Sequence, residues 1–508
     1  VLQKLRDLSV NLSVYGVGDV AVQLANFVLL PLYARILSPS DYGVIGVLLV
    51  VEQALRVLYR WGVDAAFMRS YYDCASDEAR RLLASTLFFF LLTVSGTVLC
   101  LGIAAAPWAS TELFGSPVWT TPVRLVFINA FLGCVSFLPF HVLRIEGRAA
   151  TFVKLTFTAN VSTLLSKLLF VAVLRMGVPG VYWADFAVAV GIGLVLLPRY
   201  AALIRPVFSA SVLRSCLAFG LPRVPHSVAH QVVAGIDRFV LNRYVPQSAV
   251  GVYQIGTSLG LGLKLFLSAF ETAWAPFYFA EMKHPDAKTT FRTVTTYGVF
   301  VLALLASGLA ATSGDIVRLM TEPRYFGAAA VVPWIGLSVV LQGVYLLTSI
   351  GLNITKRTIF YPVSTGLAAA TAIALNFFLI PRFGMIGAAW SNAAAYGVLA
   401  VSGFAFSQAV YPIRYEWDRL GRIAAAGVLA TLAGTVILPD GVWPLWGILL
   451  RGSTVVVVFL GTLALLGFFQ PREISRARLI LRSLRQAGRA KGGSAATSAA
   501  EEGGTLHD

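Results

Sequence analysis

The sequence predicts an all-α integral membrane protein with about 14 transmembrane helices, most of them in two parallel repeats of six. Composition is the first reason. Of 508 residues, 57% are hydrophobic and 13% charged, and mean hydropathy is +0.76, whereas a soluble domain carries about 25% charge. Second, apolar runs of about 20 residues, enough to cross a ~30 Å hydrocarbon core, recur from end to end and leave no room for a soluble domain. Third, the chain resembles itself at a separation of about 208 residues.

In order, spans are read at Val10–Leu37, Tyr42–Phe67, Leu82–Ala106, Thr121–Leu143, Phe152–Leu174, Val178–Leu203, Leu213–Tyr244, Val250–Trp274, Tyr297–Ala311, Phe326–Leu352, Phe360–Ile380, Met385–Val410, Leu420–Leu438 and Leu445–Phe469. The first begins near Asn11 and carries polar residues, unlike the short apolar core of a cleaved signal peptide, and reads as a retained span. The chain opens on Val1 rather than Met, as an alternative start codon or a trimmed chain would give. Alternate loops hold Arg80-Arg81, Arg144/Arg148/Lys154, Arg199/Arg205/Arg214, Lys356-Arg357 and Arg414/Arg419/Arg422, while the others hold single residues such as Arg175 and Arg382. The bias places both termini in the cytoplasm of a multi-pass protein.

After Phe469 the composition turns basic, with Arg472, Arg476, Arg478, Arg482, Arg485, Arg489 and Lys491 among Ile474, Ile480, Leu481 and Leu484, and then becomes rich in Gly, Ser and Ala. This predicts an amphipathic helix on the anionic inner leaflet followed by a disordered tail. The net charge of +16 is carried largely by this tail and the inner loops, so no nucleic-acid partner is inferred. Cys74, Cys100, Cys134 and Cys216 show no CxxC or His spacing and read as buried thiols, with neither metal nor disulfide framework. No phosphate-binding GxxxxGK[ST] loop or other cofactor motif occurs, so the chain does not itself hydrolyse ATP.

The duplication aligns ARILSPSDYGVIGV (Ala34–Val47) with NRYVPQSAVGVYQIG (Asn242–Gly256), placing Arg35 on Arg243 and Gly43 on Gly251. It also aligns LRMGVPGVYWAD (Leu174–Asp185) with IPRFGMIGAAWSN (Ile380–Asn392), placing Gly177 on Gly384, Gly180 on Gly387 and Trp183 on Trp390. Six spans are an even number, so both copies keep one orientation and are related by an axis along the membrane normal, facing each other across a central cavity. The predicted units are residues 1–205 and 206–412 (two six-helix lobes), 413–469 (two added helices) and 470–508 (basic segment and tail). In the second copy Pro39 and Asp41 become Gln247 and Ala249, a degraded turn motif.

The stretches Asn26–Val50 and Gly384–Gly397, with the two-times-six arrangement and the two extra helices, make the chain resemble the polysaccharide transporters, or lipid-linked O-antigen flippases, of the multidrug/oligosaccharidyl-lipid/polysaccharide exporter superfamily. The resemblance covers about Leu8 to Phe469. It implies a V-shaped pair of bundles with a cationic lumen that moves an undecaprenyl-diphosphate-linked oligosaccharide between leaflets of the bacterial inner membrane, without catalysis or cofactor. Partners are then the lipid-linked glycan, membrane lipids and other polysaccharide-assembly proteins.

Within the second span, Glu52, Arg56, Arg60 and Asp64 follow one another at four-residue steps, which keeps them within about 120° of one helix face. A cation near the bilayer centre costs about 2.5–3.5 kcal/mol and must face protein or water. The plain reading is two i,i+4 ion pairs with the inner residues snorkelling. The duplication argues for more, because it lays Arg56 on Lys264, which has no acid four residues before it. Two cations at one depth in facing lobes predict a shared anionic group such as a diphosphate. Tyr15, Asp19, Gln23 and Asn26 in span one, and Arg223, His226, His230 and Gln231 in span seven, give polar faces suited either to a lumen or to interhelical hydrogen bonds. Lys167, Asp185 and Glu271 are further buried charges, each a lumen residue or half of an ion pair, with Lys167 the next substrate contact. Pro31, Pro222, Pro225 and Pro276 are candidate helix breaks.

Ion coupling through Asp19, Glu52 or Glu271 is a second expectation. The main alternative is an ion-coupled multidrug exporter of the same architecture, which should line its cavity with acids and aromatics. A glycosyltransferase or polymerase is further off, since outer loops are short and no DxD motif occurs.

Overall fold

The computed structural model describes residues 29–436 and 443–470, which are helical almost throughout. The elements are α1 (29–36), α2 (Pro39–Arg60), α3 (Val63–Asp73), α4 (Asp77–Phe114), α5 (Thr120–Val135), α6 (Phe137–Ile145), α7 (Ala149–Lys167, continuing as a π-helical turn to Val173), α8 (Gly177–Leu203), α9 (Ala210–Gly220), α10 (Val224–Tyr244), α11 (Gln247–Gly260), α12 (Lys264–Glu281), α13 (Ala287–Met320), α14 (Val332–Thr348), α15 (Ile350–Ile354), α16 (Phe360–Val410), α17 (Trp417–Val436) and α18 (Pro444–Leu465). Among the described residues, eleven helical stretches are long and apolar enough to cross a membrane. Three of the predicted 14 do not appear among these eleven as separate spans. Most of span one lies outside the described residues. The predicted span Leu213–Tyr244 is helical but interrupted at 221–223, and too polar to count. Spans eleven and twelve run on as α16, divided only by the left-handed Gly384 (φ 54).

Helices α2 to α8 form one bundle and α10 to α16 a second, while α17 and α18 pack on α13 and on each other. Two buried charge contacts tie this addition down. Arg451 on α18 reaches Asp315 on α13 at 3.1 Å, and Glu416, just before α17, accepts from the Thr296 hydroxyl on α13 at 2.8 Å. Gly447 leaves the space that the Asp315 carboxylate fills, since a Cβ there would come within 2.7 Å of both oxygens.

The bundles meet at two ends. At one, the starts of α2 and α11 touch backbone to backbone: a Cβ on Gly43 would overlap the carbonyl oxygen of Gln247, and a Cβ on Gly251 would overlap that of Pro39. The contact is reciprocal, because Pro39 and Gln247, like Gly43 and Gly251, are aligned positions of the internal similarity. Small residues permit the approach. The degraded motif also has a structural reading. Ser38 and Asp41 make a full capping box at the start of α2, with Pro39 at N1, whereas Pro246 caps α11 without any side-chain bond. Beside the seam, Tyr325, fully buried, donates to the Leu37 carbonyl at 2.9 Å. Burial pushes its phenol well above the usual range.

At the other end α9 leaves its own bundle and lies on α3 and α4. Gly62 and Gly220 meet there as Gly43 and Gly251 do at the first end, a Cβ on Gly220 falling 2.6 Å from the Gly62 carbonyl oxygen. Arg69 stacks over Phe219 at 4.6 Å. The two glycine contacts on the α2 stretch are nineteen residues apart, or ~28 Å at 1.5 Å per residue, about the thickness of a hydrocarbon core. Of the predicted proline breaks, Pro222 sits in the interruption at 221–223, Pro225 in the first turn of α10, and Pro31 and Pro276 within helices α1 and α12.

Candidate substrate cavity

A cavity of about 650 Å³ separates the bundles between these two closures. From α2 and its C-cap it is lined by two adjacent i,i+4 rows, Leu49, Gln53, Val57 and Trp61 beside Val50, Ala54 and Leu58. From α10 it is lined at Val224, Val228, Gln231, Gly235 and Arg238, the 4-3-4-3 spacing of one helix face. Gln254 and Lys264 enter from the α11–α12 stretch, Gln342 from α14, and Asn392 and Tyr396 from α16. The walls are thus mainly apolar, with a band of amides and two cations.

The two cations differ in kind. Arg238 is buried and tied on several sides: it donates through Nε to Gln254 Oε1 at 2.7 Å, and through one terminal nitrogen to the Ala234 carbonyl at 2.8 Å and Asp237 Oδ1 at 3.1 Å. Asp237 also accepts from the Tyr253 hydroxyl at 2.5 Å. Charge is therefore matched within the second lobe by Asp237, as burial of an ion requires. Lys264 has no carboxylate within ion-pair distance among the described residues; its Nζ lies 5.9 Å from the centroid of the Tyr396 ring. It is the cation left for a ligand.

The row Glu52–Arg56–Arg60–Asp64 is not continuous, which corrects the sequence expectation. Trp61 (φ 50) and Gly62 (φ 71) are both left-handed, so α2 stops at Arg60 and Asp64 belongs to the first turn of α3. Asp64 accepts from the Ala65 backbone, and Arg60 lies over the Phe137 ring at 5.8 Å. Arg56 donates to Glu52 at 2.7 Å, the pairing that the duplication had argued against, and the α2 residues on the cavity are those of the two neighbouring rows, without Glu52 or Arg56. Arg56 and Lys264 are therefore not brought to one wall. The reason is a break in register: the second copy is interrupted at 261–263, directly before Lys264, while Arg56 sits within an unbroken turn of α2.

Lys167 is half of an ion pair with Asp185 at 2.9 Å, joining α7 to α8 within the first lobe. Gln231 lines the cavity, and the exposed His230 precedes it on α10. His226 bonds Thr365 at 2.9 Å. Arg223 rests over Phe219 at 5.6 Å in the turn at 221–223, and Glu271 is exposed two turns beyond Lys264. Asp19 and Gln23 lie outside the described residues. Arg238 and Asp237 were passed over in the sequence, although an adjacent base and acid inside a span, matched by Leu29 and Leu30 in the first copy, was a readable signal.

The paired glycines of the second repeat motif behave alike. Gly177 (φ 61) and Gly384 (φ 54) are both left-handed, and a Cβ on Gly180 or Gly387 would crowd the carbonyl of Phe170 or Leu379. On the far side of α14 from the cavity, an apolar groove of about 810 Å³ runs between α13, α14, α16 and α17.

Residues 32–282 match the family model described as polysaccharide biosynthesis protein, and no curated protein matches the chain. Among solved structures, the lipid II flippase MurJ in its inward closed conformation is similar over 88% of this chain and 98% of its own, at 14% identity and a TM-score of 0.68. An inward-facing multidrug-resistance MATE family transporter of the MOP superfamily is similar over 79% and 96%, at 14% identity and 0.65. A MOP superfamily transporter from Pyrococcus furiosus, described as having a binding pocket of reversed polarity, is similar over 82% and 96%, at 13% identity and 0.52.

Proposed function

We propose that the protein is a flippase carrying an undecaprenyl-diphosphate-linked oligosaccharide across the bacterial inner membrane by alternating access, with both termini in the cytoplasm. The observation that carries this reading is the polarity of the cavity: among the described residues its charged lining residues are Arg238 and Lys264, both basic, beside amides that suit hydroxyl-rich sugars. An organic-cation exporter of the same fold would place acids there, so this lining favours an anionic cargo. Arg238 fixes the shape of the site and Lys264 meets the diphosphate. The isoprenoid tail stays in lipid between the lobes. Opening alternates between the Gly43–Gly251 seam and the Gly62–Gly220 contact. The match to a polysaccharide-biosynthesis family model over residues 32–282 supports the glycan part of the reading. Coupling to an ion gradient would use an acid such as Glu271, Glu52 or Asp19.

The test is ligand stabilisation of the purified full chain. A soluble short-chain prenyl-diphosphate glycan should raise the unfolding temperature of the wild type and do so less in Lys264→Gln, whereas a lipophilic organic cation should not. The reverse ranking would favour the exporter reading.

A further inference from the structure

The first bundle carries a second basic cavity, remote from the one between the lobes. It has a volume of about 360 Å³ and is formed where α4 begins and α6 and α8 end. Four arginines line it, Arg80, Arg81, Arg148 and Arg199, together with two acids, Asp77 and Glu146. Arg80 pairs with Asp77 at 2.9 Å and Arg148 with Glu146 at 3.0 Å. Arg81 and Arg199 have no carboxylate within ion-pair distance among the described residues, so the cavity is cationic after its internal pairs are counted. Arg80 is held over the Tyr71 ring at 5.3 Å, and its buried Nε has no acceptor.

We propose that this cavity binds the phosphate of an anionic membrane lipid. Guanidinium groups present a planar fork of donors that matches phosphate oxygens, and two of them lack a partner here. The floor is apolar, made by Pro139, Val142 and Leu203, which suits the first carbons of an acyl chain better than a free ion. Depth agrees. Helix α8 has 27 residues, ~40 Å at 1.5 Å per residue, so its last turn, which follows Arg199, extends past a ~30 Å hydrocarbon core into the headgroup layer. Basic pockets between helices at that level hold anionic headgroups. The arginine bias of the loops assigns this end to the cytoplasm, whose leaflet is the anionic one. The site is independent of the cargo carried between the lobes.

The experiment uses the full chain in phosphatidylcholine nanodiscs, titrated with phosphatidylglycerol or with inorganic phosphate, reading unfolding temperature and lipids retained by native mass spectrometry. Phosphatidylglycerol should raise the unfolding temperature of the wild type and remain bound. Arg81→Gln/Arg199→Gln should lose at least two thirds of that shift, and Arg357→Gln, a basic loop residue outside the cavity, should keep it. Ala202→Phe, which fills the cavity but leaves all four arginines, should retain one lipid fewer. Equal retention in wild type and both cavity variants would overturn the site, as would an equal loss in Arg357→Gln. An equal shift from inorganic phosphate at the same concentration would overturn the lipid as its source.

Discussion

The seam between α2 and α11 offers the sharpest perturbation. In Gly251→Ala the new Cβ would overlap the Pro39 carbonyl oxygen and stand 2.8 Å from the Pro39 carbonyl carbon, where carbon atoms ordinarily rest about 3.5–4.0 Å apart. The helices must therefore part by about 1 Å. Backbone faces backbone, so no side chain can rotate away to absorb the clash. Overpacking of this kind costs about 1–3 kcal/mol, and the cost falls only on the state in which the seam is closed. At 1.4 kcal/mol per factor of ten, that multiplies the population open at this end about 5- to 150-fold. Gly43→Ala should act alike, because its Cβ would overlap the Gln247 carbonyl oxygen. Gly308→Ala in α13 is the control, with no atom within 4 Å of the new group. The assay is labelling of Val228→Cys on the cavity wall, in a background without native cysteines, by an impermeant maleimide applied from the seam side of oriented proteoliposomes. Initial rate follows the open fraction. Rates in Gly251→Ala and Gly43→Ala that match the wild type, or an equal rise in Gly308→Ala, would refute the view that this contact closes the cavity.

Further outcomes follow from other contacts. Gly62→Ala should favour opening at the opposite end, since its left-handed backbone (φ 71) strains any side chain and the Cβ overlaps the Gly220 carbonyl; maleimide applied from that side should label Val228→Cys faster. Arg238→Ala strands a buried Asp237 and should cost about 3–5 kcal/mol, read as a fall in unfolding temperature, whereas Asp237→Leu/Arg238→Met should recover most of it. Arg451→Ala should destabilise similarly by leaving Asp315 unpaired beside Gly447, and limited proteolysis should then cut near α17 and α18 before the lobes.

The fold was legible because length and apolarity suffice to mark a membrane helix, and the similar motifs around Gly43 and Gly251, and around Gly177 and Gly384, fall where the backbone is under like constraints. Trp61 and Gly62 were harder to read. Nothing in an apolar run announces that two consecutive residues will turn left-handed, and that turn split the charged row. The internal alignment pairs Lys264 with Arg56, yet only Lys264 lines the cavity, because the correspondence holds at the α2–α11 seam and is lost at the interruption 261–263. Pairing was ambiguous for a related reason. Glu52 and Arg56, or Lys167 and Asp185, look the same in sequence whether they face a lumen or each other, and only side-chain geometry separates the cases. Asp237 and Arg238 show the converse, a departure from the repeat that marks a site-specific network.

The central claim is that a lone lysine between two lobes receives the phosphate of a lipid-linked glycan. Its most direct test is the flipping rate of a fluorescent prenyl-diphosphate glycan in proteoliposomes, comparing wild type with Lys264→Gln and Lys264→Arg at equal protein level. Flipping should fall at least about tenfold in Lys264→Gln, the loss of roughly 1.4 kcal/mol or more of charge-assisted contact, with most of the rate kept in Lys264→Arg. Wild-type flipping in Lys264→Gln, or no flipping of this cargo by the wild type, would contradict it.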